Sequence, residues 1–197
     1  MRPLISKTSP LILASSSRYR AELLARVSVP FTALAPNLDE SPKPAESPAN
    51  LAQRLALEKA QAIAKQHPDR WVLGSDQVPS IEGRILDKPG TRANAHQQLQ
   101  EFSGHSLVFY TAAALVNGKD AFTALDTTVV RFRKLNTAEI ERYLDAEPAY
   151  DCAGSFKIEG LGISLFDAIE TRDPSALIGL PLIAVRRLLS QAGFSIP

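Results

Sequence analysis

The chain has 197 residues, of which 45% are hydrophobic and 22% are charged, and its formal net charge is +1. This composition is ordinary for a globular protein, and we expect a single domain over residues 1–197. The near-neutral charge excludes a broad basic surface, so we expect neither nucleic acid nor a membrane as a partner. One cysteine, Cys152, excludes an internal disulfide, and Met1–Ser9 lacks the apolar core of a signal peptide. We therefore expect a cytoplasmic protein.

The predicted elements begin with an apolar run, Leu11–Ala14, that has the length of a buried strand. A hydroxyl-rich turn then leads into a helical pattern that ends near Val27, and a second strand is predicted at Phe31–Ala35. Ser47 and Pro48 are typical of a helix start, and that helix is expected to end near Gln66. The remaining strand candidates are Trp71–Gly74, Val78–Ile81, Arg84–Leu86, Leu107–Val116, Phe122–Phe132, Ser155–Ile158 and Ile163–Ile169, and the remaining helices are Thr91–Phe102, Asn136 to about Ala146, and a last one from Pro181. Elements that first alternate and then pair locally favour an α/β fold with a mixed sheet.

The segment Ser15–Arg20 is the first candidate site, because it joins a predicted strand to a predicted helix. Free backbone N–H groups and the positive end of the helix point outward together at such a junction and favour an anion. Small hydroxyl side chains let a phosphate approach, and the guanidinium of Arg20 can hold it with two bonds. The alternative is that a serine of this segment only caps the helix.

Two acidic positions follow predicted strands. Glu40, in Leu38-Asp39-Glu40, is a candidate ligand of a divalent metal, and its alternative is a solvated loop acid. Asp76 comes directly after a buried apolar run, and we expect it at the carboxyl end of that strand, where ligands bind in open α/β sheets. There it could hold a metal or activate water. The alternative is an aspartate that only forms a turn.

Two lysines and one further segment complete the candidates. Lys59 lies in the helix that follows the proline-rich run, and Lys88 precedes a proline that restrains it. Either can reach a phosphate, although a single lysine is most often solvated. In the segment Tyr150–Gly160, two glycines around a charged centre predict a shaped loop. Cys152 within it has no histidine nearby in sequence, which favours a structural cysteine over a nucleophile.

Taken together, these segments resemble the Maf family of nucleoside-triphosphate pyrophosphatases. The resemblance spans nearly the whole chain, and its motifs keep the family's order and spacing. The matching stretches are residues 11–24, Gly74-Ser75-Asp76-Gln77-Val78, Asp87-Lys88-Pro89, Ser103-Gly104, residues 150–162 and Gly179-Leu180-Pro181-Leu182.

Within the family, the chain looks most like the YceF branch, the 7-methyl-GTP pyrophosphatases. This resemblance depends on Gln77 after the acid, on Cys152 to Lys157, and on Glu159. The dTTP/UTP branch usually has threonine after the acid and glutamine where Glu159 stands. The chain departs from the family at Arg18, where proline is usual, and at Tyr19, where the YceF-like proteins usually carry tryptophan.

The resemblance implies a single Maf-like domain with an elongated α/β fold of the inosine-triphosphatase type and a cleft between two lobes. It implies cleavage of a nucleoside triphosphate to the monophosphate and pyrophosphate, with Mg²⁺ or Mn²⁺ held by Glu40 and Asp76. Asp76 is the family's proton acceptor. Family members are often dimers, so a homodimer is expected. The phosphate contacts that we expect are Ser15, Ser17, Arg20, Lys59 and Lys88.

The base preference follows from chemistry at three further positions. Guanine presents N–H donors along its pairing edge, and the carboxylate of Glu159 accepts such bonds well. Methylation at N7 makes the base cationic, so the ring of Tyr19 can stack on it. Gln77 can donate and accept, and we expect it to read the base or the ribose. The alternative for Glu159 is an ion pair with Lys157 that never meets the base.

Two other functions remain open from the sequence. One is the same hydrolysis on dTTP, UTP or CTP. The other is a non-enzymatic, nucleotide-binding regulator of septum formation, which would bind nucleotide without releasing pyrophosphate.

Overall fold

The computed structural model describes residues 4–194 and 196, and they form one mixed seven-stranded sheet flanked by five α-helices. The strands are β1 (Leu11–Ala14), β2 (Phe31–Leu34), β3 (Val72–Ile81), β4 (Arg84–Ile85), β5 (Ser106–Val116), β6 (Ala121–Phe132) and β7 (Phe166–Glu170). The helices are α1 (Arg18–Ala25), α2 (Pro48–Ala64), α3 (Arg92–Phe102), α4 (Thr137–Ala146) and α5 (Leu182–Gln191). None of these helices, within the described residues, is long and apolar enough to cross a membrane.

The sheet has a parallel part and an antiparallel part. Its strand order is β2-β1-β3-β5-β6-β7, and β4 forms a short hairpin with β3. Strand β1 pairs in parallel with both β2 and β3, while β5, β6 and β7 add antiparallel neighbours. Parallel strands need crossover connections, which α1 and α2 supply, and antiparallel strands need only turns. The predicted α/β class with a mixed sheet is therefore confirmed.

The apolar core lies in three clusters around this sheet. One cluster packs α1 and α5 on one face of β1 and β3, and a second packs α2 on the opposite face. The third joins α3 and α4 to the far ends of β5 and β6, where four phenylalanine rings meet at 4.7 to 5.8 Å between centroids. The first two clusters together form one half of the molecule, and the third forms the other half. Strands β3, β5 and β6 run through both halves.

Helix starts follow the side chains that the sequence places there. The Ser47 hydroxyl accepts a hydrogen bond from the backbone N–H of Asn50, and Pro48 occupies the first helical position of α2. Asn136 and Glu139 form both bonds of a capping box at the start of α4. These contacts confirm the predicted boundaries at the start of two helices.

Helix α2 approaches strand β3 very closely at Gly74. A Cβ atom at this position would lie 2.2 Å from the carbonyl oxygen of Ala56 and 2.8 Å from the backbone nitrogen of Ala60. Only glycine leaves room for this contact. The close approach brings the next turn of α2, which carries Lys59, toward the residues of β3 that follow Gly74.

Three predictions about strands were wrong. The runs Trp71–Gly74 and Val78–Ile81 are not separate elements, because β3 continues through the polar residues between them. Ser155–Ile158 is not a strand but part of a turn-rich loop, and only the second half of Ile163–Ile169 is extended, after a short 3₁₀ helix at Leu161–Leu165. Strand β3 remains extended through its polar residues because β5 pairs with it by antiparallel hydrogen bonds from Val72 to Ser80.

Candidate active site

A cavity of about 600 Å³ runs between the two halves of the molecule. One wall is the loop after β1, the proline-rich run and α2. The other wall is the β4 hairpin, the segment around Lys88, and the loop that contains Asp151 and Ala153. This arrangement agrees with the predicted cleft between two lobes. The predicted residues that line it are Ser15, Ser17, Tyr19, Arg20, Glu40, Lys59, Asp76, Gln77 and Lys88.

The loop after β1 is shaped by its own hydroxyl groups. The Ser15 hydroxyl accepts a hydrogen bond from the backbone N–H of Ser17 at 3.1 Å. The Ser17 hydroxyl in turn caps α1 by accepting from the N–H of Arg20 at 3.4 Å. The capping alternative is thus correct for Ser17, and the same residue also lines the cavity. Ser15 and Ser17 lie at the positive end of α1, as an anion site requires.

Arg20 reaches across the molecule to a loop that lies far away in sequence. Its Nε donates to the carbonyl oxygen of Gly179 at 2.9 Å, and one terminal nitrogen lies 4.0 Å from Oδ1 of Asp76. The Ser75 hydroxyl donates to the same carbonyl at 3.1 Å, so two groups hold it in place. Burial lowers the pKa of the Arg20 guanidinium, which nevertheless stays charged at neutral pH. A buried, oriented cation therefore faces the cavity.

Lys59 forms the centre of the charged cluster. Its Nζ donates to Oδ1 of Asp76 at 2.6 Å and to Oε2 of Glu40 at 2.8 Å. Lys59 is only 5% exposed and Asp76 only 7%, while the Glu40 side chain is 53% exposed. The alternative of a solvated lysine is therefore wrong for Lys59, whereas Glu40 is an exposed loop acid that is bonded to it. The cluster brings together three residues that the sequence predicted separately.

Asp76 does not lie at the end of its own strand, so that expectation was wrong. It lies in the middle of β3, opposite Ala112 of β5. Its accessibility comes from the neighbouring strand: β1 ends at Ala14, which pairs with Gly74, and β3 continues past that point. Asp76 therefore lies beyond the carboxyl end of β1, at the edge where ligands bind in open α/β sheets.

Glu40 and Asp76 are the carboxylates that could hold a divalent metal. Both present an oxygen to the same nitrogen of Lys59, so they lie close together at the cavity wall. The described residues contain no group of three or more His, Cys, Asp or Glu arranged around a metal position. Two carboxylates fit Mg²⁺, which proteins usually bind through one or two carboxylates completed by substrate phosphates and water.

The loop that carries Glu40 is held by Arg54 of α2. The guanidinium of Arg54 binds both carboxylate oxygens of Glu46, at 2.7 and 2.8 Å, and donates to the carbonyl oxygen of Ser41 at 3.0 Å. It also binds Glu58 one turn further along the helix. Arg54 keeps the pKa of Glu46 at about 2 by hydrogen bonding to its carboxylate. The clamp fixes the residue next to Glu40 throughout the neutral pH range.

A second, smaller cavity of about 120 Å³ adjoins the first. Both are lined by Ser17, Tyr19, Arg20, Gln77, Lys88, Asp151 and Ala153, so they form one continuous cleft. Glu159 and Lys157 line only the smaller one. The ring of Tyr19 is partly exposed, and the guanidinium of Arg18 lies 4.8 Å from its centroid. The three predicted specificity residues therefore share one cavity.

Gln77 has less freedom than expected. Its side-chain nitrogen donates to the carbonyl oxygens of Ala176 at 2.8 Å and Leu177 at 3.0 Å, and lies 3.2 Å from the Thr111 hydroxyl. The two carbonyl partners fix the orientation of the amide, because only the NH₂ group can donate to them. Gln77 therefore ties the loop around Ala176 to the sheet, and only its oxygen remains available to a ligand.

Glu159 is exposed, and no ion pair joins it to Lys157 or to any other residue in the described part of the chain. The ion-pair alternative is therefore wrong. Lys88 is likewise exposed at the rim of both cavities. Cys152 lines the smaller cavity, and burial raises the pKa of its thiol to about 11. Cys152 is accordingly a neutral thiol at physiological pH, as a structural cysteine should be.

Sequence reasoning missed residues whose roles depend on distant partners. Arg54 belongs to a helical pattern and carries no local signal of its bonds to Glu46 and Ser41. Gly179 was part of a recognised motif, but only the fold shows that its carbonyl orients Arg20. Asp151 lies in the predicted shaped loop and lines both cavities.

Known proteins match the chain over nearly its whole length. The model of the Maf-like protein family matches residues 10–192. A 7-methyl-GTP pyrophosphatase of Xanthomonas axonopodis pv. citri is 57% identical over 187 residues, covering 95% of this chain and 98% of that protein. The 7-methyl-GTP pyrophosphatase of Bordetella pertussis is 51% identical over 183 residues, covering 93% and 92%. Among solved structures, the Staphylococcus aureus Ham1 protein aligns with 62% of this chain and 71% of its own, at 12% identity and a TM-score of 0.46. With nearly its whole length matched by the family model and by these relatives, the chain belongs to the Maf family.

Proposed function

We propose that this protein is a nucleoside-triphosphate pyrophosphatase that hydrolyses 7-methyl-GTP to 7-methyl-GMP and pyrophosphate. Such an activity would keep a modified nucleotide out of nucleic acid. The observation that carries the proposal is the Lys59 cluster with Asp76 and Glu40, which lies in a cleft that continues into a base-sized cavity. The relatives at 57% and 51% identity bear the same activity in their names, which supports the assignment.

The phosphate groups bind at the larger cavity in this proposal. Ser15 and Ser17 offer hydroxyl groups at the start of α1, and Arg20 adds a guanidinium whose direction the Gly179 carbonyl fixes. Lys59 contributes charge from the floor of the cavity and Lys88 from its rim. Fixed positive groups stabilise the charge that develops during phosphoryl transfer, because they need no reorganisation.

Asp76 is the proton acceptor in the proposed reaction. Its Oδ1 is bonded to Lys59, while no group within residues 4–194 and 196 donates a hydrogen bond to its Oδ2. Oδ2 can therefore take a proton from a water molecule as that water attacks the α-phosphorus. The bond between the α-phosphorus and the bridging oxygen breaks, the monophosphate keeps the water oxygen, and pyrophosphate leaves with the bond electrons.

Glu40 and Asp76 would hold a divalent metal, Mg²⁺ or Mn²⁺, together with the phosphate oxygens of the substrate. When bound, such an ion neutralises phosphate charge as a Lewis acid. Because Lys59 already contacts both carboxylates, its ammonium would help to keep them in place before the metal and the substrate arrive.

The smaller cavity reads the base in this proposal. Glu159 offers a carboxylate and Gln77 offers its side-chain oxygen, so both are acceptors. Guanine presents adjacent N–H donors on its pairing edge, whereas uracil and thymine present one N–H between two carbonyls. Tyr19 can stack on the base, and the attraction increases when methylation makes the base cationic.

A cytoplasmic location, a homodimer, and the absence of nucleic-acid and membrane partners are part of the same proposal. The single cysteine and the net charge of +1 support the location and the absence of polyanionic partners. The homodimer depends on the family resemblance.

The test is pyrophosphate release from 7-methyl-GTP, GTP, dTTP, UTP and CTP, each with Mg²⁺ and with Mn²⁺. The Asp76→Asn variant is run beside it, and Asp145→Asn on the exposed face of α4 is the matched control. We expect 7-methyl-GTP to be the preferred substrate. Asp76→Asn should lower kcat by about 10²- to 10⁴-fold, the usual contribution of a general base, while the control changes it little.

Three results would contradict the proposal in different ways. A preference for dTTP, UTP or CTP would overturn the proposed base recognition by Tyr19, Gln77 and Glu159, while the proposed hydrolysis mechanism would stand. Near-normal turnover in Asp76→Asn would remove Asp76 from the mechanism. Nucleotide binding without pyrophosphate release from any of the five would favour the regulator.

A further inference from the structure

The turn that carries Glu159 rests on helix α4. Residues 157–162 connect the loop around Cys152 to the short 3₁₀ helix, and Glu159 lies at the exposed side of this turn. A backbone bond from the N–H of Gly160 to the carbonyl of Lys157, at 3.2 Å, closes the turn. The side chain of Glu159 forms no ion pair among the described residues. Its position in the smaller cavity therefore depends on how the backbone of the turn is held.

Two side chains of α4 and its end hold that backbone. The Tyr143 hydroxyl accepts a hydrogen bond from the N–H of Lys157 at 3.3 Å and donates to Oε2 of Glu147 at 3.1 Å. The same oxygen of Glu147 accepts from the N–H of Gly162 at 3.1 Å. The turn is thus bonded at its first and last residues to two side chains that lie one helical turn apart.

Glu147 also fills the space beside the middle of the turn. A Cβ atom at Gly160 would lie 1.9 Å from Oε1 of Glu147, so this glycine is packed directly against the carboxylate. Any side chain at Gly160 would have to displace the Glu147 carboxylate, which binds the N–H of Gly162. The residue next to Glu159 is therefore fixed by contact as well as by the hydrogen bonds on either side.

Tyr143 is almost fully buried, and Glu147 is half-buried. Burial and the neighbouring carboxylate raise the pKa of the Tyr143 phenol, so the hydroxyl remains a donor to Glu147 at every physiological pH. Neither residue lines either cavity, and no contact with the nucleotide is open to them.

We propose that Tyr143 and Glu147 are positioning residues for base recognition: they act through Glu159 by fixing the turn 157–162. This inference rests on the proposed function, because it requires Glu159 to read a purine with N–H donors on its pairing edge. It extends that function to two residues outside the cleft. They set the preference for 7-methyl-GTP over a pyrimidine triphosphate without changing the hydrolysis step.

The experiment measures the ratio of kcat/KM for 7-methyl-GTP to that for dTTP in Glu159→Gln, Tyr143→Phe and Glu147→Gln. Glu141→Gln, an exposed change on the same helix, is the control. Glu147→Gln keeps the size of a half-buried side chain and should therefore fold normally. It keeps the proposal testable if Tyr143→Phe folds poorly. We expect Tyr143→Phe, which removes both bonds of the hydroxyl, to lower the ratio by about three- to tenfold, and Glu147→Gln, whose uncharged oxygen accepts the same two bonds more weakly, to lower it by less, with kcat for dTTP unchanged in both.

The double variants separate positioning from a general structural effect. In the Glu159→Gln background, adding Tyr143→Phe or Glu147→Gln should not lower the ratio further, because the residue through which they act has already been changed. A second readout is hydrogen exchange at the N–H of Gly162, which should speed up in both positioning variants and not in Glu141→Gln.

The failures of the two proposals are distinguishable. If Glu159→Gln lowers the ratio but neither positioning variant does, the inference is wrong and the proposed function stands. If the positioning variants lower the ratio further in the Glu159→Gln background, they do not act through Glu159 and the inference is again wrong. If Glu159→Gln leaves the ratio unchanged, the proposed reading of the base fails, and this inference fails with it.

Discussion

At the proposed phosphate end of the cleft, Lys59 and Asp76 are almost fully buried and bonded to each other, whereas Glu159 at the proposed base end and Lys88 at the rim of both cavities are exposed. Buried charges are costly to leave unpaired, so the phosphate end is stable only while its pairs are complete. Exposed charges are solvated and can be changed at little cost to stability. The groups for chemistry are therefore fixed by the fold, and the groups for recognition can vary without unfolding it.

Different interactions hold the Glu40 loop and the Glu159 turn in place. The Glu40 loop is held by charge, through the bonds of Arg54 to Glu46 and Glu58. The Glu159 turn is held by a phenol and a carboxylate that bind backbone N–H groups. In both cases residues that do not line the cleft keep a partly exposed acid at its position.

The largest expected effect comes from comparing the buried lysine of the cleft with the exposed one. Lys59→Met leaves the buried carboxylate of Asp76 with Arg20 as its nearest cation, at 4.0 Å, and should lower the free energy of unfolding by about 3–5 kcal/mol. Turnover should fall at least about 100-fold, because a fixed cation beside the phosphates is lost. Urea unfolding and pyrophosphate release measure the two effects.

Lys88→Met is the matched exchange at the rim. It should change the free energy of unfolding by no more than about 0.5 kcal/mol and raise KM for every nucleotide triphosphate tested. Equal losses of stability in the two variants would break the distinction between buried and exposed charges of the cleft.

A smaller effect is expected from Tyr19, which lies where the two cavities meet. Tyr19→Leu removes the ring that stacks on a cationic base, and should weaken 7-methyl-GTP relative to GTP by about 0.5–2 kcal/mol in kcat/KM. Tyr19→Phe keeps the ring, removes the hydroxyl that Arg18 and Cys152 contact, and should keep the discrimination. Loss of discrimination in Tyr19→Phe would assign it to the hydroxyl and not to stacking.

The smallest effect concerns Cys152. Because burial raises its pKa to about 11, the thiol is protonated at pH 8 and should react slowly with iodoacetamide. The labelling rate, followed by mass spectrometry, should rise about tenfold for each pH unit up to that pKa. The protein unfolded in urea should label much faster at pH 8, since an ordinary thiol has a pKa of about 8.5. Rapid labelling of the folded protein at pH 7.5 would contradict this.

The sequence predicted the elements well where the signal is local. Ser47 with Pro48 and Asn136 with Glu139 set two helix starts, because a cap needs only residues within one turn. The turn from β1 into α1 was predicted for the same reason, with Ser17 as its cap. Asp76 was assigned to the right edge of the sheet but to the wrong part of its strand, since its exposure comes from the end of β1.

Residues whose role depends on distant contacts were less accessible. Gln77 was predicted as a group free to donate, but its NH₂ binds carbonyls about 100 positions further along the chain. Tyr143 and Glu147 belong to an ordinary amphipathic pattern. Only the packing of α4 against the turn 157–162 gives them a function, and no local spacing encodes that contact.

The contact of Gly74 with α2 has a consequence for mutational scanning and directed evolution of this enzyme. Gly74 carries no functional group, yet it sets how close the helix bearing Lys59 lies to the strand bearing Asp76. Even Gly74→Ala would force the two backbones apart and separate Lys59 from Asp76. A library aimed at new substrates should therefore hold this position constant while varying the exposed residues of the base cavity, because variation there explores specificity and variation at Gly74 removes the chemistry.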